Sequence, residues 1–156
     1  MRYFGLFSFL GAFVFIILLI LIALYLLFAL GLYKMAKNRS IEYDWLAFIP
    51  IAQLYILGKL IKNLKVFNYD IPSIELVLPI SLVVVLVLGQ IPVLGFLLWL
   101  AMAILFYAAI YKLYTMYKGP EEAKTMLVKS IVSIILFGFM VPVYVFTLRD
   151  SKPLES

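Results

Sequence analysis

The sequence predicts an all-α fold: a polytopic helical membrane bundle of three or four transmembrane helices plus a re-entrant or interfacial helical hairpin. Three observations carry this. The 156 residues are 67% hydrophobic and only 13% charged, whereas a soluble domain is nearer a quarter charged. Three runs lack Asp, Glu, Lys and Arg altogether: 31 residues at 3–33, 36 at 76–111 and 19 at 130–148. About 18 apolar residues in a row suffice to cross a bilayer. The third observation is a stretch too short to do so. Within KNRSIEYDWLAFIPIAQLYILGKLIKNLK, residues 37–65, the charge-free part 45–58 contains Pro50 and Gln53. As a helix it reaches roughly 21 Å, against about 30 Å of hydrocarbon.

Segment one covers 4–33 and ends at Lys34, Lys37 and Arg39. A helix of this length measures roughly 45 Å, so it must tilt or project. The run is too long for a signal-peptide core and no A-x-A site follows it, so a retained segment is expected. Asp44 is placed to cap a helix starting at Trp45. Pro50 removes a backbone donor and disfavours helical geometry at Ile49. Lys59, Lys62 and Lys65 follow at three-residue spacing, opposite Leu60, Ile61, Leu64 and Phe67. That pattern predicts a short amphipathic helix with a basic face for anionic lipid headgroups. Residues 45–65 together make the expected hairpin.

NYDIPS, residues 68–73, reads as a polar turn. Ser73 and Glu75 open segment two, 74–88, with Pro79 near its start. GQIPVLG, residues 89–95, breaks the long apolar run and leads into segment three, 93–117. Gly119, Pro120, Glu121 and Glu122 then have the residue types of a helix N-terminus. The last segment is expected over 121–148, with Pro142 inside it. It is barely long enough to cross, and the sequence leaves open whether it spans or turns back. Residues 1–148 thus form one integral membrane domain, and 149–156 a polar tail.

Counting charges gives a topology. If 45–58 dips in and returns, and 121–148 spans, ten Lys and Arg fall on one side, with Arg2, Arg149 and Lys152 on the other. If 45–58 crosses instead, the best split is eight to five. The positive-inside rule favours the hairpin, with its ends in the cytoplasm. Its polar break must then be shielded, so Trp45, Pro50, Gln53 and Tyr55 are expected to pack against the later helices.

The residue inventory excludes much chemistry. There is no Cys and no His, which rules out disulfides, thiol catalysis, imidazole bases and the usual zinc sets. The net charge of +5 comes from residues that flank apolar runs, not from a basic face with stacking aromatics, so no nucleic-acid partner is expected. Glu42, Asp44, Asp70, Glu75, Glu121 and Glu122 all fall in the connections between segments, leaving no acidic relay at membrane depth. Lys129 beside Ser130 could perform acyl transfer only if the lysine were desolvated. At a helix entrance it can snorkel to water. No phosphate loop, H-E-x-x-H or G-x-S-x-G motif is present. No catalytic residue, metal or cofactor is assigned. The candidate binding or partner surface is Trp45, Pro50, Gln53, Tyr55, Gln90, Tyr107, Tyr111 and Tyr114, the last three with Tyr117 forming a stripe suited to an interfacial belt or a groove wall.

The stretch MAKNRSIEYDWLAFIPIAQLYILGKL resembles a loose group of small, uncharacterised bacterial membrane proteins, mostly from Firmicutes. The resemblance rests on W-L-A-x-I-P-I-x-x-L-Y-x-L-G, here Trp45 to Gly58, preceded by Ala36 and Lys37. The later YKLYTMYK and the closing LRD are also similar to that group's ending. The resemblance implies membrane location and little more; with the charge pattern, the expected placement is multi-pass in the bacterial cytoplasmic (inner) membrane. Its partners would be the bilayer, its anionic headgroups, and a membrane protein or further copies of itself. Small size and sparse polar chemistry point to a non-enzymatic accessory, regulatory or immunity-type binding protein. The alternative is a transporter, channel or lipid-handling protein using the 45–58 hairpin.

Overall fold

A computed structural model of the chain describes residues 2–133 and 139–154. Its elements are α1 (Arg2–Asn38), a short 3-10 helix (Asp44–Phe48), α2 (Ala52–Ile61), β1 (Leu64–Val66), β2 (Tyr69–Ile71), α3 (Ile74–Leu88), α4 (Pro92–Lys118), α5 (Pro120–Val132) and α6 (Met140–Leu148). Among the described residues the fold is all-α apart from one two-stranded hairpin. Two helices, Phe9–Asn38 and Pro92–Lys118, are long and apolar enough to cross a membrane.

The C-terminal ends of α1, α2, α4 and α6 gather at one end of the molecule. Arg39, just past α1, donates a hydrogen bond to the Leu60 carbonyl near the end of α2 (2.6 Å). The Tyr25 hydroxyl, more than three turns back along α1, bonds the Phe48 carbonyl. The chain therefore runs down beside α1 from 44 to 48, turns at Pro50, and climbs back as α2. Gly31 faces Val145, and the Asn38 amide donates to the Arg149 carbonyl (3.0 Å), so α6 lies parallel to α1. The tail then crosses to α4, where the Leu154 N–H donates to the Met116 carbonyl (2.7 Å).

Two glycines permit close approaches between helices within the core. A Cβ at Gly31 would lie 2.8 Å from the Val145 side chain. One at Gly58 would collide with the Glu75 backbone, where α2 and α3 cross. Both approaches belong to the core, which occupies the end where these termini meet. Leu32, Leu57, Leu60, Ile110, Leu113 and Tyr114 are fully buried there. The other end is two apolar legs. Residues 9–23 of α1 are exposed apart from half-buried Ile17, and the far halves of α3 and α4 expose Val87, Val93 and Phe96.

Four expectations are corrected. The lysine-faced helix does not form: α2 stops at Ile61, Lys62 takes a positive φ of 61°, and Lys65 lies on β1. The hairpin loop Phe67–Asn68 has φ of 48° and 67°, the double positive φ of a two-residue type I′ turn. Strand pairing, Lys65 with Asp70 and Val66 with Tyr69, replaces the helix. Second, the segment 121–148 is not one helix. α5 descends along α4, Ser133 Oγ accepts the Met140 N–H (3.4 Å), and α6 returns. Third, Asp44 caps nothing; the 3-10 helix has no side-chain cap bond. Fourth, Trp45 is 55% exposed and Pro50 is also exposed. The tight 3-10 turn directs Ala47 into the core and leaves Trp45 facing outward.

Candidate functional site

The distinguishing feature lies between α1 and α4. These two long helices run the same way, yet two cavities separate them. One, of about 250 Å³, is walled by Leu21, Tyr25, Phe28, Phe106, Tyr107 and Pro142. The other, of about 400 Å³, is walled by Phe28, Pro50, Gln53, Leu82, Trp99, Met102 and Tyr107. Phe28, Phe106 and Tyr107 belong to both. The tip of the 3-10/α2 hairpin forms one wall of the larger cavity and α6 one wall of the smaller.

Gln53 is the polar group that matters most here. It is 6% exposed, and its Nε2 is buried with no hydrogen-bond partner among the described residues. An unpaired buried amide costs about 1–3 kcal/mol. Gln53 sits one residue into α2, so its position follows from the Pro50 turn. Among the described residues no charged side chain lines either cavity. The arrangement suits an apolar occupant with a neutral acceptor or a partner helix. It holds no acid–base pair for catalysis.

The sequence-predicted residues divide. Pro50, Gln53 and Tyr107 meet at the larger cavity, joined by Trp99 and Phe28, which sequence patterning had not singled out. Tyr55 is half-buried, with the Lys59 ammonium 5.5 Å from its ring centroid. Trp45 and Gln90 are exposed and away from the cavities. Tyr114 and Tyr117 are core residues, 0% and 4% exposed. Tyr114 stacks edge-on against Tyr144 (5.8 Å) and shares a hydrogen bond with Ser130 (3.2 Å). That bond disposes of the Ser130–Lys129 pair: Ser130 is buried, and Lys129 faces outward. Tyr111 and Lys65 line a different pocket, with Lys112. Among the described residues no group of three or more carboxylates could hold a metal ion. Glu121 bonds Lys124 at 2.9 Å and raises its pKa, as a surface ion pair does.

Comparison with protein-family models, with curated proteins and with solved structures finds no match.

Proposed function

We propose that this is a multi-pass protein of the bacterial cytoplasmic membrane that acts by binding, as an accessory, regulatory or immunity-type component. In this reading α1 and α4 cross, and α3, too short at 15 residues to reach across alone, carries the chain back together with the turns at its two ends. The hairpins 44–61 and 120–148 enter from the cytoplasmic side and return to it. The meeting of Arg149 with Asn38 supports this, because it moves Arg149 and Lys152 to the basic side and leaves Arg2 alone on the other. The length of α4 supports it too: 92–111 is free of charge and spans about 30 Å, the thickness of the hydrocarbon.

The observation that carries the binding role is the uncovered half of α1 beside the cavity-lined gap to α4. A single transmembrane helix of a partner fits such a gap, and small polar contacts such as Gln53 are what orient helices in lipid. The test is extraction from the native membrane in mild detergent followed by native mass spectrometry. A stoichiometric protein partner is the expected result. A partner-free chain retaining a lipid or small molecule favours the second reading, a lipid-handling or transport protein. One observation speaks for that reading: the unpaired Gln53 amide in an apolar cavity beside a proline-broken hairpin.

A further inference from the structure

We propose that the pocket between β1 and α4 holds the phosphate of an anionic phospholipid from the cytoplasmic leaflet. The proposal goes beyond the binding role above and rests on the same membrane placement. The pocket, about 300 Å³, is lined by Asn63, Leu64, Lys65, Tyr111, Lys112 and Thr115. Its height is set by α4. Lys112 is the first charge after 92–111, so it marks the hydrocarbon boundary, where lipid phosphates begin. α1 agrees, since Phe28 and Phe106 share a cavity, and Lys34 and Lys112 each lie six residues further on.

Lys112 is half-buried and has no carboxylate within ion-pair distance among the described residues. Its ammonium is therefore available to pair with an anion. Lys65 pairs with Asp70 at 3.4 Å, but both side chains are largely exposed, and such pairs are weak enough to exchange. Asn63 and Tyr111 add neutral donors. The Thr115 hydroxyl is already donated to the Tyr111 carbonyl (2.9 Å), so it contributes no further donor.

Below the pocket there is a place for the tails. A second, apolar cavity of about 340 Å³ lies between α3 and α4, lined by Leu76, Ile80, Leu98, Ala101 and Leu105. On α4 the two cavities follow one stripe: 98, 101 and 105 below, then 108, 112 and 115 above. Spacings of three and four keep these on one face of a helix. Headgroup site and chain groove therefore lie one above the other on the same face of α4. The β-hairpin that closes the site projects Phe67, 90% exposed, and Tyr69, 70% exposed, as aromatic side chains do at the headgroup layer.

The test is native mass spectrometry of the full chain released from mixed micelles of phosphatidylglycerol and phosphatidylcholine. The wild type is expected to retain phosphatidylglycerol preferentially. Lys112→Ala and Lys65→Ala should each reduce that preference by about fivefold, while Lys152→Ala on the tail leaves it unchanged. Lys65 lies on an exposed strand position, so its variant still reports if Lys112→Ala fails to fold. Equal retention of the two lipids, or indifference to both substitutions, overturns the site and leaves the membrane placement standing. Lipid-free protein that binds inorganic phosphate and retains no phosphatidylglycerol overturns the lipid assignment in favour of a soluble anion.

Discussion

The Asn38 side chain donates a 3.0 Å hydrogen bond to the backbone carbonyl of Arg149, joining residues 111 positions apart. With Gly31 against Val145, it makes α1 and α6 a parallel pair, in register from the middle of the core to its basic end. A last helix that crossed the membrane from the end of α5 would carry Arg149 to the opposite face. The bond instead brings the last helix back to the end of the molecule from which α5 starts.

Side-specific labelling checks this directly. Single cysteines at Ser40, Lys62 and Ser151 are expected to react with an impermeant thiol reagent from the same side. A cysteine at Gln90, on the exposed α3–α4 turn, should react from the other. Labelling of Ser151→Cys together with Gln90→Cys would refute the returning hairpin.

Gly31→Ala should destabilise the protein by about 1–3 kcal/mol, the usual cost of overpacking. The added methyl would meet Val145 backbone and side-chain atoms within 3 Å. Gly11→Ala, in the same helix with nothing within 4 Å, should be neutral or slightly stabilising. Thermal unfolding in detergent distinguishes them, and equal midpoints would contradict the α1–α6 packing.

Tyr114→Phe leaves the Ser130 hydroxyl buried without its partner and should cost about 1–3 kcal/mol. Adding Ser130→Ala should then cost less than it does alone, because the pair is lost as a unit. A double-mutant cycle with no coupling would mean that the 3.2 Å contact contributes nothing.

Gln53→Leu should raise the unfolding midpoint, since it removes an unpaired buried donor of about 1–3 kcal/mol. The same substitution should weaken retention of the partner or ligand bound beside α1. Stability gained with binding lost is the pattern expected of a functional polar group. Unchanged binding would remove Gln53 from the site.

Much of the fold was legible because charge and proline punctuate it. Segment two, 74–88, coincides with α3, and 93–117 falls within one residue of α4 at each end. The Pro50 turn was legible for the same reason. The end of α2 was not. Lys62 adopts a positive φ without being Gly or Asn, and three lysines at helical spacing concealed a strand. The return of the last segment was legible only as an alternative, because the bonds that fix it are long-range. Of the site, Gln53 and Pro50 stood out as polar and strained types in an apolar stretch. Phe28, Trp99 and Lys112 did not, since apolar and membrane-flanking residues look alike until neighbours are known.

The pairing of α1 with α6 has a consequence for how the chain is made. The surface of α1 around Gly31 is finished by Val145, which is synthesised 114 residues later. At about 5–20 residues per second the ribosome needs on the order of ten seconds to travel between them. During that interval the Gly31 face of α1 lacks its α6 partner, while the 3-10 helix and α2 are already available to pack beside it. A chain that stopped before α6 would leave that face uncovered, so the surface that holds the finished protein together is also the one a truncated product would expose.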